Sequence, residues 1–125
     1  MQDLKNKVVL ITGASSGIGA AVARAFGSEG ARVAVHYRRG REEAEAIVAE
    51  LRAAGSDAIA VQADVTHSEQ VNEMVASVYA HFGRIDVLIN NAGGFVRRAQ
   101  RVLSFVHVVD YKGDFRRERR LERAV

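Results

Sequence analysis

Apolar positions along the first part of the chain follow two alternating rhythms. Val8-Val9-Leu10-Ile11 is continuously apolar, as a strand covered on both faces should be. A glycine-punctuated turn follows. Ile18, Val22, Ala25 and Phe26 then recur at helical spacing, predicting a helix that stops at Gly27 or Gly30. Val33-Ala34-Val35 reads as a second short strand. Over residues 42–54, Ala44, Ile47, Val48 and Leu51 fall on one helical face, and Gly55 is placed to end that helix. Ala58 to Val61 is a third strand. Thr66 with Glu69 three residues on reads as a capping box, opening a helix whose buried face would be Val71, Met74, Val75, Val78 and Phe82. Gly83 closes it, and Val87-Leu88-Ile89 is a fourth strand. Strands alternating with amphipathic helices predict βαβ units on a parallel sheet.

From Gly94 the pattern changes. Residues 102–109 are apolar apart from Ser104 and His107, which suits a strand or a buried helical turn equally. Residues 116–123 are good helix formers without an apolar face, so packing would add little to such a helix. Charge divides at the same place. Residues 1–96 carry nine Lys/Arg against eleven Asp/Glu, and residues 97–125 carry nine against four. The net +3 therefore belongs to the tail. The chain thus divides into a βαβ-patterned segment, 1–96, and a basic tail, 97–125. With 48% apolar residues, 125 positions suffice for one domain with a core. The lack of cysteine excludes disulfides and thiolate chemistry. The start of the chain has no signal-peptide pattern and no run can cross a bilayer, so a cytoplasmic protein with no membrane partner is expected.

The chemistry concentrates at Thr12-Gly13-Ala14-Ser15-Ser16-Gly17-Ile18-Gly19, between the first strand and the first helix. Glycine allows a sharp turn and a close approach of backbone to ligand. The helix N-terminus beyond it offers free N–H groups and a positive dipole end to a pyrophosphate. The spacing is Gly-x3-Gly-x-Gly with no lysine after it, which excludes a Walker A loop. A turn serving only helix–sheet packing is the bland alternative.

Together with Asp64-Val65 and Asn90-Asn91-Ala92-Gly93, this segment resembles the short-chain dehydrogenase/reductase family over about residues 5–96. In flavour it is similar to the glucose dehydrogenase-like and 3-oxoacyl reductase-like members. The resemblance implies an α/β fold, a Rossmann-type doubly wound parallel sheet, ending here after about the fourth strand. It also implies that Gly13, Ala14, Ser15, Ser16, Gly17, Ile18 and Gly19 form the phosphate and ribose turn. Asp64 would accept from the adenine amino group, with the Val65 backbone against the ring. Asn91, Ala92 and Gly93 would run along the ribose nearer the nicotinamide, and Asn90 would help tie the sheet together. The second strand ends His36-Tyr37-Arg38-Arg39, with no carboxylate where NAD-preferring members place one. Arg38 and Arg39 would instead hold a 2′-phosphate, which points to NADP over NAD.

The family's general acid is a tyrosine with a lysine four residues later. Tyr37, Tyr79 and Tyr111 are followed at that distance by Arg41, Gly83 and Phe115. His36, His67, His81 and His107 are scattered, with surface positions expected for most. The favoured expectation is the NADP-binding half of an oxidoreductase acting on carbonyls or alcohols, in a truncated or frame-shifted chain without catalytic residues. A silent NADP(H)-binding module, an enzyme completed by a second chain, and nucleic-acid binding through the tail are the alternatives. Glu118 and Glu122 interrupt the basic run, and no nucleic-acid recognition motif is present. A sheet ending at the fourth strand would leave an edge open to self-association, unless Phe105 to Val109 pairs beside Val87 to Ile89.

Overall fold

In strand β1 (Val8–Ile11) successive side chains point to opposite faces of the sheet, and both faces are covered. The computed structural model describes residues 4–91 and the backbone of 105–108 and 119–120. The elements after β1 are α1 (Gly17–Ser28), β2 (Arg32–Tyr37), α2 (Arg41–Ala53), β3 (Ala58–Gln62), α3 (Ser68–Phe82) and β4 (Val87–Asn90). Two short strands follow, β5 (Phe105–Val108) and β6 (Arg119–Arg120).

Val9, Ile11, Val33 and Val35 pack with Ala20 and Ala23 of α1 and with Ala44, Ile47, Val48 and Leu51 of α2. Val8, Leu10, Ala34 and Val61 face the other way, onto Met74, Val78 and Phe82 of α3. The doubly wound arrangement thus follows from strands apolar at every position. Each fully buried Val, Leu or Ile contributes about 1.5–3 kcal/mol. All four residues expected on the buried face of α2 are there, whereas Val71 and Val75 of α3 are only partly buried.

The sheet order is β3-β2-β1-β4-β5-β6. β3, β2, β1 and β4 are mutually parallel. Strand order reverses across β1, which puts a crevice beyond the carboxyl ends of β1 and β4, where open α/β sheets bind ligands.

The parallel part of the sheet is the expected four strands, and the pairing of Phe105 to Val109 beside Val87 to Ile89 is the outcome observed, over Phe105–Val108. β5 pairs antiparallel with β4, in the register Leu88↔His107, Ile89↔Val106 and Asn90↔Phe105, and β6 pairs antiparallel with β5. β4 is therefore not an edge, because a returning strand takes up its free N–H and C=O groups. Two expectations need correction, the first being the α1 seam, which is displaced. Ile18 is 66% exposed and Ala25 is exposed, while Gly19, Ala20 and Ala23 are buried. Small residues let α1 lie close against β1, and the larger Val22 and Phe26 pack at its flank. Finally, Thr66 and Glu69 form no capping box. His67 is the N-cap of α3 without a side-chain bond, and the Thr66 hydroxyl donates to Asp64 instead.

Candidate functional site

Three strand ends converge at the carboxyl edge of the sheet, and hydrogen bonds between their loops hold them there. Thr12, buried at the end of β1, joins β1 to β4. Its hydroxyl accepts from the Asn91 N–H at 2.8 Å and donates to Asn90 Oδ1 at 3.0 Å. Asn91 Nδ2 donates to the Gly13 carbonyl at 3.1 Å. Asn90 thus ties the sheet together as expected, with Thr12 as the common partner.

The glycine-rich turn then crosses above β2. The Gly13 N–H donates to His36 Nδ1 at 2.9 Å, and the Ala14 N–H donates to the His36 carbonyl at 2.9 Å. Beyond them, α1 starts with an N-cap, Ser16, that makes no side-chain cap and with no acidic residue in its first turn. The first amides of a helix have no carbonyl one turn back, so this terminus presents donors and a positive dipole end. Gly17 has φ +62°, and a Cβ built there would meet nothing within 4 Å. Gly19 is the opposite case. A Cβ there would stand 2.9 Å from Ala14 Cα and 2.7 Å from Asn91 Nδ2 and would overlap the Gly13 carbonyl. One glycine opens space in front of the helix, and the other lets the turn fold back on it. Ser15 is half-buried, and Ser16, Gly17 and Ile18 are exposed around that opening.

At the neighbouring strand ends, Asp64 Oδ1 accepts from both the Thr66 N–H, at 3.0 Å, and the Thr66 hydroxyl, at 2.6 Å. Asp64 Oδ2 lies 3.6 Å from an Arg38 guanidinium nitrogen and 3.3 Å from His67 Nδ1. The structure thus brings Arg38 and Asp64 together. Val65, partly buried, follows directly, and Arg39 is exposed beside Arg38. Ala92 and Gly93 lie outside the described residues. The arrangement suits an anion at the start of α1 with a second negative group near Arg38.

His67 and His81 are exposed as expected of most of the histidines, but His36 is an exception at 1% exposed. No sequence signal marks it as buried except its place in an otherwise apolar strand. Its Nε2 lies 2.8 Å from the Ala63 carbonyl. A carbonyl only accepts, so Nε2 carries the proton and Nδ1 receives the Gly13 N–H. Burial holds this imidazole below the usual histidine range, against a smaller upward pull from the Ala63 carbonyl. The two Thr66 hydrogen bonds hold the Asp64 carboxyl below the usual carboxylate range against an opposing effect of desolvation, with lesser help from Arg38 and His67.

Two pH dependences follow. Below about pH 6.5 the unfolded histidine binds a proton before the folded one does, so stability falls with acid until the folded group titrates. Below about pH 3.8 the unfolded Asp64 carboxyl does the same. Urea midpoints against pH should show His36→Asn reducing the loss that sets in near pH 6.5 and Asp64→Asn reducing the loss that sets in near pH 3.8. Unchanged slopes in both variants would remove the assignment.

The fold and the convergence of strand ends at its carboxyl edge define an α/β protein of the doubly wound kind. Residues 7–111 match the short chain dehydrogenase family, and the chain belongs to it. The match runs past residue 96, where the sequence pattern changes. The versicolorin reductase stcU of Emericella nidulans is 44% identical over 111 residues, 89% of this chain and 39% of that one. The 3-oxoacyl-acyl-carrier-protein reductase FabG of Staphylococcus epidermidis is 47% identical over 88 residues, covering 70% of this chain and 36% of that one. A short chain dehydrogenase from Burkholderia cenocepacia in complex with NADP superposes with a TM-score of 0.72 at 44% identity, over 76% of this chain and 39% of that one. A blue fluorescent protein from a metagenomic library, in complex with NADPH, gives 0.72 at 42% identity over the same shares. The chain spans under two-fifths of the length of these relatives.

Proposed function

We propose that residues 1–96 form the NADP(H)-binding half of a short-chain oxidoreductase acting on a carbonyl or alcohol. The observation that carries this reading is the uncapped start of α1, opening onto free space at Gly17, with Arg38 held beside Asp64 at the adjoining strand ends. The residues present suit the cofactor. Amides of Ser15, Ser16, Gly17 and Ile18 would meet the pyrophosphate, Arg38 and Arg39 the 2′-phosphate, and Asp64 and Val65 the adenine. Asn91, with Ala92 and Gly93, would follow the ribose. NADP(H), when bound, supplies hydride transfer. The chain's own part is to bind and orient it. NADP- and NADPH-bound structures among the similar proteins support the cofactor choice.

Because no tyrosine in the chain has a lysine four residues later, a binding module without turnover is the second reading. The two readings share one site and place the chain in the cytoplasm, with no membrane or nucleic-acid partner. A fluorescence titration of the purified chain with NADPH and NADH tests the site. Tighter binding of NADPH is expected, and equal affinities would overturn the NADP preference. No binding of either would overturn the reading as a whole. Carbonyl-dependent NADPH oxidation would exclude the silent module. Size-exclusion chromatography on the same material reads self-association through a sheet edge, which would be β3 or β6 rather than β4.

A further inference from the structure

His36 sits where the three site-forming segments meet, and every polar atom of it that can bond toward the glycine-rich turn does so. The residue belongs to β2 with the parity of Ala34, which faces the α3 side of the sheet. Its neighbours in the parallel register are Val61 in β3 and, one residue back at Val35, the last residue of β1, Ile11. Its side chain therefore stands just past the end of β1, beneath the turn that Gly13 begins. The ring accepts the Gly13 N–H on one edge and donates to the Ala63 carbonyl on the other, one residue before Asp64. The main chain of the same residue accepts the Ala14 N–H. The first two amides of the turn are thus both committed to His36, and the amides left for a ligand are those from Ser15 onward.

A buried polar side chain is costly unless all its bonds are made. An apolar residue in β2 would pack at lower cost but would leave the Gly13 N–H without an acceptor. From this geometry we infer that His36 is a positioning residue for the dinucleotide site: its Nδ1 holds the start of the glycine-rich turn, and the Ala63 carbonyl keeps the ring in the tautomer that leaves Nδ1 able to accept. The inference rests on the functional reading above and adds a specific residue to it.

Two variants separate the two edges of the ring. In His36→Asn the side-chain oxygen falls about where Nδ1 stands, so the bond from Gly13 survives and the one to Ala63 is lost. In His36→Gln the side-chain nitrogen falls about where Nε2 stands, so the losses are reversed. Both shorten or reshape a buried polar group, so a purely structural role predicts similar melting temperatures and unchanged NADPH affinity in the two folded variants. The positioning role predicts NADPH affinity close to the parent for His36→Asn and about tenfold weaker for His36→Gln. It also predicts that the Gly13 amide stays protected from hydrogen exchange in the parent and in His36→Asn but exchanges rapidly in His36→Gln. Equal affinities and equal Gly13 protection in the two variants would overturn it. Should the parent bind no nucleotide, the functional reading falls. The exchange rates at Gly13 then still decide whether His36 anchors the turn.

Discussion

Gly19→Ala should lose NADPH binding and cost the fold about 1–3 kcal/mol, the range for overpacking a filled site. The added methyl would overlap the Gly13 carbonyl and stand 2.9 Å from Ala14 Cα, both backbone atoms of a turn already tied to β2 and β4. Of the atoms it would meet, only Asn91 Nδ2 belongs to a side chain, and moving it gives up the bond to Gly13. The turn must shift as a unit, taking the ligand-facing amides with it. Gly17→Ala is the control. Its Cβ meets no atom, but φ +62° is unfavourable for alanine by about 1–2 kcal/mol. Its methyl also points into the space in front of the helix, so binding should suffer more than packing does. Thermal melts and NADPH titrations of both variants check this. A Gly19→Ala protein with parental melting temperature and affinity would show that the turn does not need the close approach.

Arg38→Gln should weaken NADPH by about 10- to 100-fold, the worth of a charge-assisted hydrogen bond, and leave NADH nearly unchanged. Arg38 is exposed, and its one ion pair among the described residues, to Asp64, is long at 3.6 Å. Exposed pairs of this kind contribute little, so the melting temperature should scarcely move. The substitution therefore acts on selectivity with the fold as an internal reference. Titrations with the two nucleotides decide it. Equal losses for NADPH and NADH would mean that Arg38 contributes general positive charge and no contact with a 2′-phosphate.

Much of this could be read along the chain, for identifiable reasons. β1 is apolar at every position because α1 and α2 cover one face and α3 the other, and a continuous apolar run carries that information directly. Ala44, Ile47, Val48 and Leu51 repeat at helical period and are buried together. The glycine spacing at 13, 17 and 19 locates the turn because Gly13 and Gly17 have positive φ and Gly19 leaves no room for a Cβ. Other features escaped. Ile18 looks like part of a buried stripe, but the helix axis is set by Gly19, Ala20 and Ala23 lying against β1, and that rotation turns Ile18 outward. Thr66 and Glu69 have the spacing of a capping box, yet α3 begins one residue later with His67 as its N-cap, so Thr66 is outside the capping position and its hydroxyl donates to Asp64.

Local periodicity and glycine placement are properties of neighbouring residues, so the strands, the helices and the turn at the start of α1 are written in the order of amino acids. Which distant groups share a hydrogen bond is not. His36 meets Gly13 and Ala63, Thr12 meets Asn90 and Asn91, Arg38 meets Asp64, and β5 returns antiparallel to β4 only once the sheet has assembled. Those pairings join positions about 15 to 80 apart. Long-range contacts of this kind depend on the register of strands and the covering of both faces, and no short window of the chain contains that information.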